Sequence, residues 1–224
     1  MKLSIIMPVL NEAASIEAAL RALAPLRARN VEVIVVDGGS SDGTPSLAHP
    51  FANRVIVAPT GRAVQMNAGV AAATGDALLF LHVDTRLAEN ADRLVLDGLQ
   101  HRRWGRFDVR FEDGGWLRLV ALTMNLRSRL TGIATGDQAM FMTRAACDKA
   151  GGFPAIPLME DVALSARLKR TSRPLCLPTR VVTSDRRWRR HGLWRTILLM
   201  WQLRLRYFLG ADPARLARAY GYDS

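Results

Sequence analysis

The sequence predicts an α/β fold, a mostly parallel sheet flanked by helices, with a C-terminal amphipathic helical extension. Three observations carry this. Apolar, β-branched runs alternate with helix-period segments through the first 90 residues. The glycine-bearing and acidic stretches fall just after those runs. The last forty or so residues change character, mixing arginine with tryptophan along an apolar helical face.

Leu3 to Leu10 and Val31 to Val36 read as buried strands. Between them Ile16, Leu20 and Leu23 recur at helical spacing, which makes a β-α-β unit with parallel strands. Met1 to Pro8 is too short an apolar run for an export signal and is interrupted by Asn11-Glu12, so it is a first strand. Thr44 followed by Pro45 predicts an N-cap and a first helical residue. Further strands are expected at Arg54 to Ala58 and Ala77 to Val83, around an alanine-rich helix from Ala63 to Ala73. The second half predicts a strand at Phe107 to Phe111, a helix from Trp116 to Leu130 and a strand at Gln138 to Thr143. Helices at Arg144 to Ala150 and Asp161 to Lys169 follow, then a short strand near Val181. The expected division is a domain over residues 1–185, with halves 1–90 and 91–185, and a basic aromatic helical extension over 186–224.

The chain has 224 residues, of which 49% are hydrophobic, enough for one well-filled core. No uncharged run approaches the ~18 residues of a membrane span. Cys147 and Cys176 lack metal-ligand spacing and read as ordinary reduced thiols. The net charge of +11 sits mainly at the end, where Arg186, Arg187, Arg189, Arg190, Arg195, Arg204 and Arg206 intersperse Trp188, Trp194, Trp201, Tyr207 and Phe208. That mixture suits an anionic membrane surface through residues 193–209 and not a base-reading helix, so no nucleic-acid partner is expected. A cytoplasmic protein, peripheral on the inner face of the cell membrane, is the matching location.

In an open parallel sheet, ligands bind outside the carboxyl ends of the strands. Three polar clusters fall there: Pro8-Val9-Leu10-Asn11-Glu12, Asp37-Gly38-Gly39-Ser40-Ser41-Asp42-Gly43-Thr44, and His82-Val83-Asp84. The glycines of the second let backbone approach a ligand, and Asp37 is placed to accept hydrogen bonds from a base or ribose. The same loop also reads as a generic strand-to-helix turn. It does not fit the dinucleotide fingerprint G-x-G-x-x-G.

The Ser4-to-Glu12 and Val35-to-Thr44 runs together resemble the opening of family-2 glycosyltransferases of the GT-A type. Gly61-Arg62-Ala63-Val64-Gln65-Met66-Asn67-Ala68-Gly69 and Gly136-Asp137-Gln138-Ala139-Met140-Phe141 resemble the arsenosugar-biosynthesis-type subgroup. The resemblance implies an inverting transfer of a sugar from a UDP- or GDP-sugar to an acceptor hydroxyl, with Mn²⁺ or Mg²⁺. It implies a nucleotide site made by Pro8, Val9, Leu10, Glu12, Asp37, Gly38, Ser40, Arg62, Asn67 and His82. Arg62 carries a fixed charge that suits a diphosphate, or is a solvated surface arginine.

The family pattern Asp-x-Asp reads His82-Val83-Asp84 here. Asp84 is therefore the implied metal ligand, against a capping role before Thr85. His82 either bonds the ribose or satisfies itself locally. Glu160-Asp161 opens a helix, where the dipole alone favours acids. The resemblance makes Asp161 the base and Glu160 an orienting or acceptor-binding group, with Gly136, Asp137 and Gln138 lining the acceptor side, against a turn-capping role for Asp137. Arg187-Trp188 matches the end of the family's Gln-x-x-Arg-Trp element, but Ser184 stands where glutamine would be. A single-transfer enzyme follows, with His191 as a further candidate for the metal or diphosphate. The alternatives are a sugar nucleotidyltransferase and a non-catalytic membrane-surface module.

Overall fold

A computed structural model describes residues 1–221, with the side chains of Arg187, Arg190, His191 and Leu193 outside the described set. Four parallel strands form its first half: β1 (Leu3–Val9), β2 (Glu32–Asp37), β3 (Arg54–Val57) and β4 (Ala77–Phe80). The second half adds β5 (Thr85–Arg86), β6 (Trp104–Phe111), β7 (Phe141–Thr143) and β8 (Leu175–Thr183). They make one sheet in the order β3-β2-β1-β4-β7-β6-β8-β5. Six of the eight strands point the same way; β7 and β5 run against them.

The sheet is covered on both faces because its central strands are mostly apolar, with Ser4 and Glu32 bonded to each other, and alternate residues feed opposite cores. Ile5, Met7, Val33 and Val35 pack on α1 (Ala13–Ala22), α5 (Ala91–His101) and α6 (Leu117–Thr131). Ile6, Ile34, Val36 and Phe80 pack on α4 (Arg62–Ala72), α7 (Arg144–Ala150) and α8 (Glu160–Leu168). Gly69 lets α4 lie directly on β1: a Cβ there would collide with the Ile6 Cγ2 atom. Short α2 (Ala24–Arg27) and α3 (Thr44–Ala48) complete the first half.

The tail folds as α9 (Arg186–His191), α10 (Leu193–Phe208) and α11 (Pro213–Tyr220). A third apolar cluster joins Leu203 and Leu216 of the tail to Ile133, Leu158, Met159 and Val162. The extension is thus packed against the start of α8.

Several local expectations change. The α3 N-cap is Gly43 at φ 85°, not Thr44, which is the first helical residue. Thr44 is fully buried: its Oγ1 donates to Asp42 Oδ1 and accepts from the Glu12 N–H, so the hydroxyl is spent on holding two loops together. Strand β4 stops at Phe80, and His82-Val83-Asp84 lies in the following turn. Gln138 sits in a 3-10 turn (Gly136–Gln138) ahead of β7. The strand containing Val181 has nine residues, because it pairs with both β6 and β5. Helix α5 had no expectation, although Ala91, Leu94, Val95 and Leu99 recur at helical spacing and pack on the core.

Candidate active site

The strand ends of β1 and β4, the 3-10 turn, the start of α8 and the tail enclose a cavity of about 830 Å³. Pro8, Val9, Leu10, Glu12, Arg62, His82, Asp84, Gly136, Asp137, Glu160 and Asp161 all line it. Asp37, Gly38, Ser40, Asn67 and Gln138 do not.

The non-lining residues build the walls. Asp37 closes its own loop: Oδ2 accepts from the Gly39 and Ser40 N–H groups at 2.9 Å, and Oδ1 accepts from Ser40 Oγ. Gly38 is tied to the rim from both sides, its N–H donating to Val9 O and its carbonyl accepting from Thr60 Oγ1. Gln65, buried on α4, donates to the carbonyls of both Val9 and Val36 and so locks β1 to β2 below the rim. Asn67 clamps the backbone of Phe153 with two bonds, Nδ2 to its carbonyl and Oδ1 from its N–H. Gln138 is fully buried and accepts from the Thr135 N–H in a capping box. Asn67 and Gln138 therefore hold scaffold bonds that occupy their amides.

Two acidic ends face the cavity. At the first, Arg186 of α9 spans Glu12 Oε2 at 3.6 Å and Asp84 Oδ2 at 3.7 Å. A guanidinium between two carboxylates marks a place where a cation is electrostatically favoured. Among the described residues, no group of three or more His, Cys, Asp or Glu side chains converges to hold a metal alone. One or two carboxylates are nevertheless the usual protein share of a Mg²⁺ or Mn²⁺ site completed by phosphates and water, so Asp84 with Glu12 fits such an ion.

At the second end, Asp161 Oδ2 accepts from the Gly136 N–H at 2.8 Å and Oδ1 from the Val162 N–H at 2.7 Å. This fixes the carboxylate and ties the 3-10 turn to α8. Glu160 beside it is 5% exposed. Burial, then the Asp161 charge, pushes its carboxyl up to about 7, against the fields of Arg62 and His82. His82 Nδ1 lies 3.6 Å from Asp137 Oδ1. Desolvation of this half-exposed carboxyl raises Asp137, but the close His82 ring, with Arg62 and Arg204, outweighs it and holds the carboxyl below its usual range. His82 stacks against Gly136, where a Cβ would stand 2.5 Å from the ring; only glycine allows that approach.

The tail supplies lining that sequence reasoning missed. Trp188, Met200, Arg204, Arg218 and Tyr220 form one wall. Trp188 also meets Phe111 edge-on at 5.5 Å. The only signal for this was the inward face of α10, Thr196, Leu199, Met200 and Leu203, which reads equally as one side of a membrane helix. His191 and Arg187, also considered from the sequence, have side chains outside the described residues.

Comparison with known proteins fits this geometry. Two curated relatives, PGL/p-HBAD biosynthesis glycosyltransferases of Mycobacterium bovis and Mycobacterium tuberculosis, are 44% identical over 99 residues, 41% of this chain. The matched stretch spans only 38% of those relatives' length. S. aureus TarS 1–349 in complex with UDP-GlcNAc superposes with a TM-score of 0.69 at 20% identity, over 82% of this chain and 58% of that one. Glucosyl-3-phosphoglycerate synthase from Mycobacterium tuberculosis, in complex with Mg²⁺ and UDP, gives 0.60 at 20% identity, over 81% and 70%. Such similarity establishes the fold, which is GT-A. The profile described as Glycosyl transferase family 2 matches residues 4–149, from β1 into α7, which takes in Glu12 and Asp84 but stops short of Glu160 and Asp161, so this chain belongs to glycosyl transferase family 2.

Proposed function

We propose that this glycosyltransferase moves a sugar from a UDP-sugar to an acceptor hydroxyl with inversion at the anomeric carbon, assisted by Mg²⁺ or Mn²⁺. The observation that carries the reading is the single cavity with Asp84 and Glu12 at one end and Glu160 and Asp161 at the other. UDP is preferred as the nucleotide because the two solved structures of this fold hold UDP or UDP-GlcNAc.

In this reading Pro8, Val9, Leu10 and Glu12 flank the nucleotide, on the loop that Asp37, Gly38 and Ser40 stiffen, and Arg62 offers its charge to the diphosphate. Asp84 holds the divalent ion, which would neutralise charge developing on the leaving diphosphate. Arg186 must give up Asp84 for this to happen, so its ion pairs act as a placeholder. Asp161, held by two backbone N–H groups, takes the proton of the acceptor hydroxyl as that oxygen bonds to the anomeric carbon and the diphosphate departs from the opposite face. Glu160 orients the acceptor, and Gly136 with Asp137 lines its side. The test is a thermal-shift comparison of UDP, GDP, CDP and dTDP with Mn²⁺, for wild type and Asp84→Ala. A Mn²⁺-dependent UDP shift lost in the variant supports the reading. No shift with any nucleotide removes it.

The tail also supports attachment to an anionic bilayer. Outward from the cavity wall, α10 exposes Trp194, Leu198, Trp201, Leu205 and Phe208, each at least 60% exposed. Helix α6 exposes Leu119, Leu122, Leu126 and Leu130, each more than half exposed. Such stripes exceed what an isolated soluble surface normally shows. Arginines flank both, Arg118 and Arg129 on α6 and Arg195 and Arg206 on α10, which favours anionic lipid over a second, equally basic copy of the chain. No helix among the described residues is long and apolar enough to cross a membrane. Salt-sensitive co-sedimentation with phosphatidylglycerol vesicles, lost in Trp194→Ser/Trp201→Ser, is expected; binding that ignores both salt and these tryptophans would rule it out.

A further inference from the structure

Between the Glu160-Asp161 pair and the tail, the cavity has an apolar wall. Leu158, Met159, Val162, Met200, Ala217 and Tyr220 all line it. All of these but Met200 also belong to one packed cluster, so the wall is continuous and not a scatter of single side chains. Chain connectivity puts it beside the acids: Met159 and Val162 bracket Glu160 and Asp161 at the start of α8. Leu158, Met159, Val162 and Ala217 are buried, Met200 and Tyr220 are half-buried, and Ala214 and Arg218 are exposed where α11 reaches the mouth.

Met159 breaks two local rules to stand there. It is the N-cap of α8, where a side-chain oxygen ordinarily accepts an N–H, and it makes no such bond. It also holds φ 70°, a left-handed conformation that disfavours a long apolar side chain. Asparagine or aspartate would meet both demands at once. A thioether 4% exposed and lining the cavity is kept instead, and strained positions of this kind gather where a ligand is held.

Few polar groups remain on this side for an acceptor. Asn67 and Gln138 are committed to the scaffold, Asp137 faces His82, and Arg204 adds one charge from α10. A sugar or other polyol seated here would set several hydroxyls against Leu158, Met159 and Val162 with nothing to bond, which is costly. A site with one polar anchor and an apolar flank matches a ligand built the same way.

We propose that the acceptor is an apolar alcohol: its hydroxyl meets Asp161 while its carbon body lies along the wall of Leu158, Met159, Val162, Met200, Ala217 and Tyr220. This rests on the glycosyltransferase reading of the cavity and narrows its acceptor class. In the transfer the acceptor oxygen bonds to the anomeric carbon, its proton passes to Asp161, and the diphosphate oxygen leaves with the electron pair of the broken bond. The carbon body belongs either to a short soluble alcohol or to a lipid, and chain length separates the two.

The test uses the full chain with Mg²⁺ and UDP, and ethanol, 1-butanol, 1-hexanol and 1-octanol as probes, by calorimetry. Affinity is expected to rise about 4-fold for each added CH₂ that reaches the wall. A rise that levels off before octanol identifies a short soluble acceptor, one that continues through octanol identifies a lipid, and no rise overturns the proposal. Heptyl methyl ether, the isomer of 1-octanol without a hydroxyl, is expected to bind more weakly on the order of 10-fold, with the difference narrowed in Asp161→Asn. Equal binding of alcohol and ether by wild type overturns the placement. Because the outer faces of α6 and α10 also attract alkyl chains, a diazirine-bearing octanol locates the site by photolabelling. Label is expected in residues 157–162 and 213–220; label confined to the exposed leucines and tryptophans of α6 and α10 overturns the proposal. Met200→Gln, at a half-buried position where folding is least at risk, is expected to lose octanol affinity on the order of 10-fold with UDP affinity as in wild type; unchanged octanol affinity overturns the role of the wall. Alcohol that displaces UDP also overturns it, by assigning the wall to the donor. Failure of UDP to bind would instead strike the glycosyltransferase reading, whereas a flat chain-length series on protein that binds UDP strikes only the acceptor assignment.

Discussion

Glu160 should make the protein lose stability as pH rises through neutrality. Its carboxyl is raised from an ordinary value of 4.5 to about 7, first by burial and then by Asp161. Between those two values the folded chain binds a proton that the unfolded chain has released, so unfolding free energy falls as pH increases. At ~1.4 kcal/mol per pH unit, the full effect is about 3 kcal/mol, an upper bound because Glu160 and Asp161 titrate together. For a chain of this size that corresponds to up to roughly 10 °C in Tm. Glu160→Gln keeps the shape and abolishes the titration. Wild type and variant are expected to melt together near pH 4.5 and to diverge progressively to pH 8, with the variant higher, in calorimetric scans across that range. Asp161→Asn removes the second cause, so the decline in that variant is expected to end at a lower pH and to be smaller than in wild type. Parallel wild-type and Glu160→Gln curves from pH 4.5 to 8 would refute the reasoning, because they would mean that Glu160 ionises as it would in water.

Three further outcomes follow from the same geometry. Arg186→Gln frees Glu12 and Asp84 from a competing cation, so the Mn²⁺ concentration giving half of the UDP thermal shift should fall; an unchanged or higher value would show that Arg186 does not hold the metal position. Asp161→Asn should reduce sugar transfer by ~10²–10⁴-fold, the usual worth of a general base, while Glu160→Gln costs far less; the reverse ranking would move the proton to Glu160. Gly136→Ala forces the His82 ring away from Asp137, so the Asp137 carboxyl should titrate closer to its ordinary range by NMR, and a value unchanged from wild type would dismiss the His82 contact as its cause.

How much of this was legible beforehand depends on whether the cause was local. Strands β1, β2 and β4 were readable because largely apolar runs favour a buried parallel strand, and the β-branched Val55-Ile56-Val57 run marked β3, which lies half-exposed at the sheet edge. The polar loops that follow them were readable because such loops must lie at the strand ends where ligands gather. Arg144–Ala150 was readable to the residue, its N-cap Thr143 accepting from the Ala146 N–H. Thr44 misled because its best partner is distant in sequence: the hydroxyl serves the Glu12 N–H, 32 residues away, and a glycine takes the cap.

The sequence by itself determined the parallel strands of the first half and marked Glu12, Asp84, Glu160 and Asp161 as candidates, since each follows from local pattern or short-range motif, whereas the strand order and the antiparallel β5 and β7 did not. Only the tertiary structure decided which polar side chains are free to meet a ligand. Asn67 and Gln138 look as available in sequence as Arg62 or Asp137, yet hydrogen bonds to Phe153 and Thr135 consume them. Arg204 looks like any membrane-facing arginine, yet packing of Leu203 and Leu216 beneath α8 turns it into the cavity. The reason is physical: burial and hydrogen-bond satisfaction are settled by contacts between segments far apart along the chain, and no local pattern carries them.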